Sequence, residues 1–266
     1  MRISLIGAGA MGTAFVKGVV TSGFLAASDV YAFDTDNARV KLLIDEFGCV
    51  GAGSARDAVR EGDYIVVCVK PALVRGVLED LQAEIGPNKV VVSIAAGVTL
   101  QVMQAALRPG TPVIRVMPNT PAMVGKGASA LAAGSAATTE QLEFAARMFE
   151  SFGVAVIVNE TLMDAVTGLS GSGPAFVYTF IEAMADAGVS CGLPRDTACK
   201  LAAQTVSGAA EMVLQSGVHP AALRDHVTSP GGTTIAGIAQ LERSGFRAAV
   251  FNAVQAAAQR SAEMGK

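Results

Sequence analysis

The stretch that decides the fold is ISLIGAGAMGTAF, residues 3–15. An apolar run leads into Gly7, Gly9 and Gly12, which have the spacing G-x-G-x-x-G, and a helical pattern follows. The first glycine of such a motif permits a tight turn, the second lets the backbone approach a pyrophosphate, and the third lets the helix pack on the sheet. Asp34 ends the next β-rich run, where a carboxylate accepts hydrogen bonds from ribose hydroxyls. This spacing predicts a strand, a turn and a helix that bind a dinucleotide.

Further β-rich runs alternate with helical patterns as far as about residue 158. The runs are VYAFD (30–34), DYIVVCV (63–69), KVVVSIA (89–95), PVIRVM (112–117) and VAVIVN (154–159). Their nearly continuous apolar character is typical of a parallel sheet that is covered on both faces. Residues 36–47 and 138–152 have helical spacing, and Thr138 and Thr139 precede Glu140 as an N-cap does. The alternation predicts an α/β fold with a Rossmann-type doubly wound sheet.

The β-rich runs stop at about residue 159, and turn or capping sequences separate helical patterns from there onward. We therefore predict a dinucleotide-binding Rossmann domain over residues 1–158. An all-α domain over residues 159–266 is expected to bind substrate and to form a dimer. A chain of 266 residues is long enough for this division.

The composition restricts the partners of the protein. The chain is 51% hydrophobic without tryptophan, and its mean hydropathy of +0.45 is high for a monomer. The most apolar run, residues 173–189, carries Glu182 and Asp186 one helical turn apart, which argues against a membrane span. We therefore expect a homo-oligomer. The net charge of -3 without a basic patch predicts no nucleic-acid partner.

The cysteines and histidines give no sign of a metal site. The four cysteines lack C-x-x-C spacing, and neither histidine has ligand spacing with another histidine or with a cysteine. We expect the cysteines to be reduced core residues of a cytoplasmic protein. The N-terminus also has the features of a short signal peptide, but the strand-turn-helix pattern fits the same residues more strictly.

Ligands of doubly wound sheets bind at the carboxyl ends of the strands. Three strand ends have unusual sequences: VVCVKP, VVSIAAGV and VIRVMPNTP. We predict that the cofactor contacts Ile6, Gly7, Gly9, Ala10, Met11, Gly12, Asp34, Asp36, Val69, Lys70, Pro71, Ala95, Ala96 and Asn119. The choice between NADP and NAD stays open, because Asp34 favours NAD whereas a small rotation of DTDNAR brings Arg39 in.

A second glycine motif, GLSGSGPAFV at residues 168–177, bears on the reaction. β-Hydroxyacid dehydrogenases carry such glycines followed by an acid/base lysine and an asparagine, whereas Val177 and Ile181 stand at those positions here. Reduction of a carbonyl needs a proton donor, while a protonated C=N bond brings its own proton. A carbonyl reductase of the β-hydroxyacid dehydrogenase type and a non-catalytic dinucleotide sensor are the alternatives to an imine reductase.

Several segments resemble the pyrroline-5-carboxylate reductase family over essentially the whole chain. They are GAGAMG, VKP, SIAAGVT, MPNTP, residues 169–198 and VTSPGGTTIAGIAQLE at residues 227–242. The resemblance implies NADPH- or NADH-dependent reduction of the cyclic imino acid 1-pyrroline-5-carboxylate to L-proline, the last step of proline synthesis. It also implies helical domains that interlock into dimers, often assembled further into decamers.

The loop SPGGTT, residues 229–234, contains no acid or base and precedes a helix. Unpaired N–H groups and the helix dipole suit a carboxylate there. The resemblance places the substrate carboxylate at this loop and the hydroxyl of Thr234, the predicted catalytic residue, near the ring nitrogen. It implies that the substrate-binding residues are Glu160, Ser229, Gly231, Gly232, Thr233 and Thr234. His226 and Asp34 depart from the family: some relatives have asparagine at the first position, and many that prefer NADPH have serine, asparagine or arginine at the second.

Overall fold

The computed structural model describes residues 1–264, which form one eight-stranded sheet with helices around it and then helices alone. The strands are β1 (Ile3–Ile6), β2 (Val30–Phe33), β3 (Val50–Gly51), β4 (Tyr64–Val67), β5 (Val90–Ser93), β6 (Val113–Met117), β7 (Gly127–Ala133) and β8 (Gly153–Ile157). Their order in the sheet is β3-β2-β1-β4-β5-β6-β7-β8. β1 and β4 are parallel neighbours, and the strands that follow β1 in the chain are added on one side of it up to β3 and on the other side from β4 onward. The predicted Rossmann-type doubly wound sheet is therefore confirmed.

The helices of the sheet region are α1 (Ala10–Thr21), α2 (Asn37–Phe47), α3 (Ala55–Glu61), α4 (Pro71–Leu81), α5 (Leu100–Ala105), α6 (Thr139–Glu150) and α7 (Met163–Val166). Most begin at an identifiable cap. Thr138 and Gln141 form a reciprocal capping box at α6, as the sequence indicated for Thr138. Thr99 caps α5 through the N–H of Val102, at 3.3 Å. Local sequence thus sets where the crossover helices start.

The remaining helices are α8 (Gly173–Ser190), α9 (Arg195–Ser216), α10 (Pro220–His226), α11 (Thr233–Arg243) and α12 (Phe246–Met264). None of the described residues after Ile157 lies in a strand, so the all-α character of the C-terminal region is confirmed. Across residues 1–264 there is no helix with the length and apolar character that a bilayer crossing requires.

The sequence patterns missed two strands, and one of them breaks the expected parallel arrangement. β7 pairs with β6 in the antiparallel sense and with β8 in the parallel sense. Its sequence GASALAA consists mainly of small residues without β-branching, and such residues carry little strand signal. A Cβ at Gly153 of β8 would overlap the Gly127 carbonyl oxygen. The small residues therefore serve close packing between β7 and β8.

The structure divides into two compact units. The first, called the sheet unit, comprises residues 1–172 and the segment from residue 256, and the second, called the helical unit, comprises residues 173–255. The sheet unit contains two buried apolar clusters, one around Phe15 and Phe149 and the other around Leu78 and Met103. The helical unit has a small cluster of buried alanines between α8 and α9. The domain boundary at residues 158 and 159 stays a prediction.

Candidate functional site

A cavity of about 900 Å³ lies in the sheet unit at the carboxyl ends of β1, β2 and β4. This is the point where the strand order reverses, and ligands of doubly wound sheets bind there. The cavity brings together half of the predicted cofactor residues: Ile6, Gly7, Gly9, Asp34, Asp36, Val69 and Lys70. Further lining residues that the sequence did not indicate include Ser54, Arg56 and Cys68. The lining combines apolar strand ends with charged groups from the helices that follow.

The three glycines of the turn differ in why a side chain is absent at each position. Gly7 has a φ of +103°, and a Cβ there would lie 2.6 Å from the Cys68 carbonyl oxygen. A Cβ at Gly12 would overlap the carbonyl oxygen of Gly7. Gly9 is different, because the nearest atom to an added Cβ is Nη1 of Arg39, at 3.7 Å. Gly7 and Gly12 are needed by the fold, whereas a Cβ at Gly9 would make an ordinary van der Waals contact without overlap.

The first turn of α1 has backbone donors free for a ligand. The first intrahelical hydrogen bond runs from the N–H of Thr13 to the carbonyl of Gly9, at 2.8 Å. The N–H groups of Ala10, Met11 and Gly12 precede it and have no helical acceptor. Together with the absence of a side chain at Gly9, they fit an anionic pyrophosphate at the positive end of the helix dipole.

The carboxylate of Asp34 connects the ends of β1 and β2. Its two oxygens accept hydrogen bonds from the N–H groups of Ala8, at 2.7 Å, and Asp36, at 2.9 Å. Asp36 in turn caps α2 through the N–H of Ala38, at 3.0 Å, and pairs with Arg39 at 3.3 Å. Each carboxylate oxygen of Asp34 has a further lone pair for a ribose hydroxyl. Asp34 and Asp36 therefore both stabilise the local backbone, whether or not they also contact a ligand.

Three other predicted strand-end residues, Pro71, Ala95 and Ala96, lie outside the lining of this cavity. Pro71 occupies the first helical position of α4, directly after Lys70, which lines the cavity and is the N-cap of that helix. Ala95 is buried, and its N–H donates to the Ser93 hydroxyl at 3.3 Å. Ala96 is exposed in the loop that follows β5. The cofactor contacts of Pro71, Ala95 and Ala96 stay predictions.

Asn119 uses both ends of its amide to hold the chain. Its Oδ1 accepts from the N–H of Ala128 at 2.8 Å, and its Nδ2 donates to the carbonyl of Ser170 at 3.0 Å. The side chain thus joins the end of β6 to β7 and to the π-helical turn Thr167–Gly171. A contact from this amide to the nicotinamide stays a prediction, and it has to be made beside these two bonds.

Glu160 lies in the sheet unit, whereas the predicted substrate loop belongs to the helical unit. Its Oε1 accepts from the N–H of Leu100 at 2.6 Å and pairs with Nη1 of Arg115 at 3.1 Å. Arg115 is 5% exposed, so the pair is a largely buried one that joins β6 to the N-terminus of α5. The lone arginine within the apolar run PVIRVM indicates that some acidic partner exists, since a buried guanidinium is rarely unpaired, but it does not identify Glu160. The role of Glu160 towards substrate stays a prediction.

Residues 227–232 connect α10 to α11 in the helical unit, so Thr233 and Thr234 of the segment 229–234 are the first two residues of α11 and do not precede the helix. Gly231 has a φ of +67°, which a side chain disfavours. A Cβ at Gly232, the N-cap of α11, would overlap the Ser229 hydroxyl. The first helical bond runs from Ala236 to Gly232, so the N–H groups of residues 233–235 are open. The two glycines therefore serve the backbone path of the loop and keep the helix end accessible.

The hydroxyls of this loop differ from others in the same unit. Thr179, Thr205 and Thr228 donate to carbonyls four residues earlier. Among the described hydrogen bonds of residues 1–264, none involves the hydroxyl of Ser229, Thr233 or Thr234. Three free hydroxyls beside open helical N–H groups suit an anionic ligand that also has a polar ring atom.

The histidines do not form a metal site with other residues. His226 is exposed at the end of α10, and His219 caps the same helix through the N–H of Ala221, at 3.2 Å. Within the part of the chain that the structure describes, no three histidine, cysteine or acidic residues are grouped as metal ligands.

The helical unit leaves many large apolar side chains exposed. They include Tyr178, Leu201, Met212, Leu214 and Phe251. An apolar surface of this extent marks an association surface in a soluble protein. It supports the prediction that this chain self-associates.

Comparison with known proteins covers the entire chain. Residues 160–264 match the family described as pyrroline-5-carboxylate reductase dimerisation, and residues 2–97 match that described as NADP oxidoreductase coenzyme F420-dependent. The chain is 49% identical to a pyrroline-5-carboxylate reductase of Methanosarcina acetivorans, covering 100% of this chain and 98% of the relative. It is 42% identical to that of Escherichia coli K12 with the same coverage.

Solved structures give the same result. A pyrroline-5-carboxylate reductase from Coxiella burnetii superposes with a TM-score of 0.95 at 31% identity, over 100% of this chain and 98% of that one. The Plasmodium falciparum pyrroline carboxylate reductase with NADP bound superposes with a TM-score of 0.87 at 30% identity, with the same coverage.

Proposed function

The chain belongs to the pyrroline-5-carboxylate reductase family, and from this membership we propose that it reduces 1-pyrroline-5-carboxylate to L-proline in the last step of proline biosynthesis. It is an NAD(P)H-dependent oxidoreductase that acts on a CH–NH group. The observation that carries the proposal is the 49% identity to a named reductase over the full chain. A β-hydroxyacid dehydrogenase activity is disfavoured by Val177 at the lysine position, and a sensor role by the free hydroxyls of the 229–234 loop.

The residues of the sheet-unit cavity fit a dinucleotide. The backbone at Gly9, which carries no side chain, and the N–H groups of residues 10–12 receive the pyrophosphate, and Asp34 lies at the ribose position after β2. Reduced NADP or NAD supplies the hydride when it is bound. The chain itself contributes placement of the two reactants, which accounts for several kcal/mol of a barrier in general.

The 229–234 loop supplies the proposed substrate contacts. The carboxylate of the imine binds the open N–H groups of residues 233–235 and the hydroxyl of Ser229. The hydroxyl of Thr234 bonds the ring nitrogen. The imine nitrogen is already protonated, so hydride addition at carbon moves the C=N electron pair to nitrogen and gives the neutral amine, which takes a proton from water. No acid or base of the chain is required for this step.

The family match and the cysteines support proposals about assembly and location. The dimerisation match over residues 160–264 supports a homo-oligomer, and we propose a homodimer that assembles further into a decamer. Four free cysteines in the described chain support a cytoplasmic location. Light scattering of the purified protein measures the number of subunits directly.

A direct assay tests the activity. In one assay, purified protein is mixed with pyrroline-5-carboxylate and NADPH or NADH. In the other, it is mixed with a panel of 3-hydroxy acids and the oxidised cofactors. We expect turnover with the imine and none with the hydroxy acids. Turnover of a hydroxy acid would support the carbonyl-reductase alternative, and cofactor binding without any turnover would support the sensor.

Thr234→Val tests the substrate loop, because valine keeps the shape and removes the hydroxyl. We expect kcat/KM to fall roughly ten- to a hundredfold, since one hydrogen bond at a reacting atom is lost. The dinucleotide Kd is expected to stay unchanged. Thr205→Val is the matched control, because that hydroxyl donates to the Leu201 carbonyl of its own helix. Equal effects of the two variants would contradict the assignment of Thr234.

A further inference from the structure

Glu160 contacts the end of a strand-end loop and does not line the dinucleotide cavity. The loop comprises residues 94–99, which connect β5 to α5. The carboxylate of Glu160 accepts a hydrogen bond from the first N–H of α5, that of Leu100, at 2.6 Å. We propose that Glu160 is a positioning residue that holds the 94–99 loop, through Leu100, in the place that hydride transfer requires. This inference rests on the proposed reductase function and deepens it.

The 94–99 loop lies at the edge of the sheet where a dinucleotide is expected. It follows the carboxyl end of β5, and doubly wound sheets bind their ligands at that edge. The glycine turn belongs to the half of the sheet formed by β1 to β3, and β4 to β6 form the other half. Ala95 and Ala96 are predicted cofactor contacts in this second half. The loop is therefore expected to border the reacting end of the cofactor and not its pyrophosphate.

Few hydrogen bonds hold the loop itself. At its start, the N–H of Ala95 donates to the Ser93 hydroxyl at 3.3 Å. Within the described chain, no hydrogen bond involves residues 96–98. Gly97 has a φ of +75°, and no atom lies within 4 Å of a Cβ placed there. The position of the loop therefore depends on its two ends and on the buried side chain of Val98.

The N-terminus of α5 shows why the far end of the loop needs Glu160. Thr99, the N-cap, accepts from the N–H of Val102 at 3.3 Å. The N–H of Leu100 is left without a helical acceptor. Leu100 is 5% exposed, so a missing partner for its N–H is costly. The carboxylate of Glu160 supplies this acceptor, and its negative charge suits the positive end of the helix.

Glu160 is itself fixed by neighbours in the sheet unit. Its Oε1 pairs with Nη1 of the buried Arg115 at 3.1 Å. Asn159 caps the 3₁₀ turn that Glu160 begins, through the N–H of Thr161 at 3.0 Å. Glu160 lines a separate cavity of about 480 Å³, which shares no lining residue with the dinucleotide cavity. The contact with Leu100 is therefore the route by which Glu160 acts on the strand end.

The first experiment separates the acceptor for Leu100 from the ion pair. The double variant Glu160→Ala/Arg115→Met removes both charges together, so that neither is buried unpaired, and it deprives Leu100 of its acceptor. Arg115→Met alone keeps the carboxylate, which is 30% exposed. Both proteins are assayed with pyrroline-5-carboxylate and NADPH. We expect kcat to fall at least about tenfold in the double variant and to stay within about threefold of the parent in Arg115→Met, with little change of KM for the imine.

Glu160→Gln is the conservative variant, because its amide oxygen still accepts from the N–H of Leu100. We expect a lower urea midpoint, since Arg115 loses its charge partner, while kcat stays within about threefold of the parent and keeps its pH profile. A carboxylate that acts directly on substrate predicts instead that Glu160→Gln loses as much kcat as the double variant. A purely structural pair predicts that every folded variant keeps the parental kcat. Either of these two results overturns the inference.

Hydrogen exchange measured by mass spectrometry gives a result that does not depend on turnover. Peptides that cover residues 95–100 are expected to exchange at least about fivefold faster in the double variant than in the parent, and at the parental rate in Glu160→Gln. Parental exchange in the double variant overturns this inference alone.

Asp63→Asn is the matched control, because Asp63 also accepts from a backbone N–H, that of Arg2 at 2.9 Å, at the amino end of β1. We expect this variant to keep the parental kcat. A loss of kcat equal to that of the double variant would show that any such contact in the sheet affects turnover, and it overturns the inference. A parent that does not reduce the imine overturns the proposed function and this inference with it.

Discussion

The sheet unit and the helical unit differ in how many of their large apolar side chains are buried within the single chain. The sheet unit buries large side chains on both faces of its sheet, such as Phe15 and Phe149 on one and Leu78 and Met103 on the other. The helical unit buries little more than alanines and exposes large apolar side chains along its helices. The first unit has a core of its own, whereas the second contains surface that requires a partner chain. The dimerisation match over residues 160–264 agrees with this division.

The two candidate sites show the same contrast. The glycine turn of the sheet unit is fixed by contacts of Gly7 and Gly12 with the neighbouring backbone. The hydroxyls of Ser229 and Thr234 in the helical unit have no such partner among the described residues. The geometry of the glycine turn is therefore determined by contacts within the single chain. The open donors of the 229–234 segment leave its ligand a prediction.

The largest expected effect tests whether the sheet unit depends on its own contacts. Gly12→Ala places a Cβ on the Gly7 carbonyl oxygen, and neither backbone can move without disturbing the end of β1. We expect a loss of more than about 4 kcal/mol in the free energy of unfolding, or no soluble protein. Urea unfolding and soluble yield measure it.

Gly9→Ala is the control for that change, because its Cβ would make only an ordinary van der Waals contact, with Nη1 of Arg39 at 3.7 Å. We expect the free energy of unfolding to stay within about 0.5 kcal/mol of the parent, while dinucleotide binding weakens. A Gly12→Ala protein that unfolds at the parental urea concentration would show that the turn is less constrained than its geometry indicates.

The next effect tests whether the helical unit depends on a second chain. Leu201 is 55% exposed on α9, and Met212, eleven residues later, lies on the same side of that helix. Within one chain Leu201→Glu costs little. If a partner covers this stripe, a buried charge opposes association, and we expect the dimer Kd to rise at least about a hundredfold. Light scattering across a concentration series measures the change.

Leu42→Glu is the matched control in the sheet unit. Leu42 is 64% exposed on α2, so its substitution is expected to leave the subunit number unchanged. Dissociation by both variants would place an interface on the sheet unit as well, and dissociation by neither would remove the α9 stripe from the interface.

Local sequence was sufficient for the parts of the sheet unit that local chemistry determines. The glycine turn, the apolar strands and the Thr138 cap each depend on residues close together in the chain. The ion-pair partners of Glu160 and Arg56 were not predictable in this way. Glu160 pairs with Arg115, and Arg56 pairs with Glu84. These partners are far apart in the chain, and a single sequence does not indicate which distant residues the fold brings together. β7 was not predicted because its small residues have little strand propensity, although they pack well between neighbouring strands.

The thiols extend the comparison to chemical reactivity and correct one expectation, since two cysteines are not core residues of the single chain. Burial raises the pKa of the Cys49 thiol from 9.0 to about 11 and also raises the pKa of Cys68. Cys191 and Cys199 of the helical unit are exposed. A raised pKa lowers the reactive thiolate at pH 8, by about a hundredfold for Cys49.

We therefore expect Cys191 and Cys199 to react with a thiol reagent at pH 8 well before Cys49 and Cys68, with all four reacting in urea. Mass spectrometry of the modified peptides identifies them. Because the folded state favours the protonated Cys49 thiol, its contribution to stability is complete below pH 9 and decreases as the pH rises towards about 11. Rapid native modification of Cys49 would show that the sheet unit opens more readily than its packing indicates.

The smallest effect concerns single helix caps, one in each unit. Thr138→Ala removes the capping box of α6, in which the Thr138 hydroxyl accepts from the N–H of Gln141 at 3.3 Å and the Gln141 side chain accepts from the N–H of Thr138 at 2.9 Å. We expect a loss of about 1 kcal/mol in the free energy of unfolding. Urea unfolding measures it, and the loss is expected to be the same at low and high protein concentration.

His219→Ala is the counterpart in the helical unit, since it removes the ring acceptor that caps α10. Folding that is coupled to association depends on protein concentration, because only the folded form binds its partner. The His219→Ala loss is therefore expected to appear as a weaker dimer as well as a lower unfolding midpoint, whereas Thr138→Ala leaves the dimer Kd unchanged. If both caps weaken the dimer equally, the two units unfold together, and the independence of the sheet unit has to be abandoned. If neither does, the helical unit is stable without its partner, and its exposed apolar helices need another explanation.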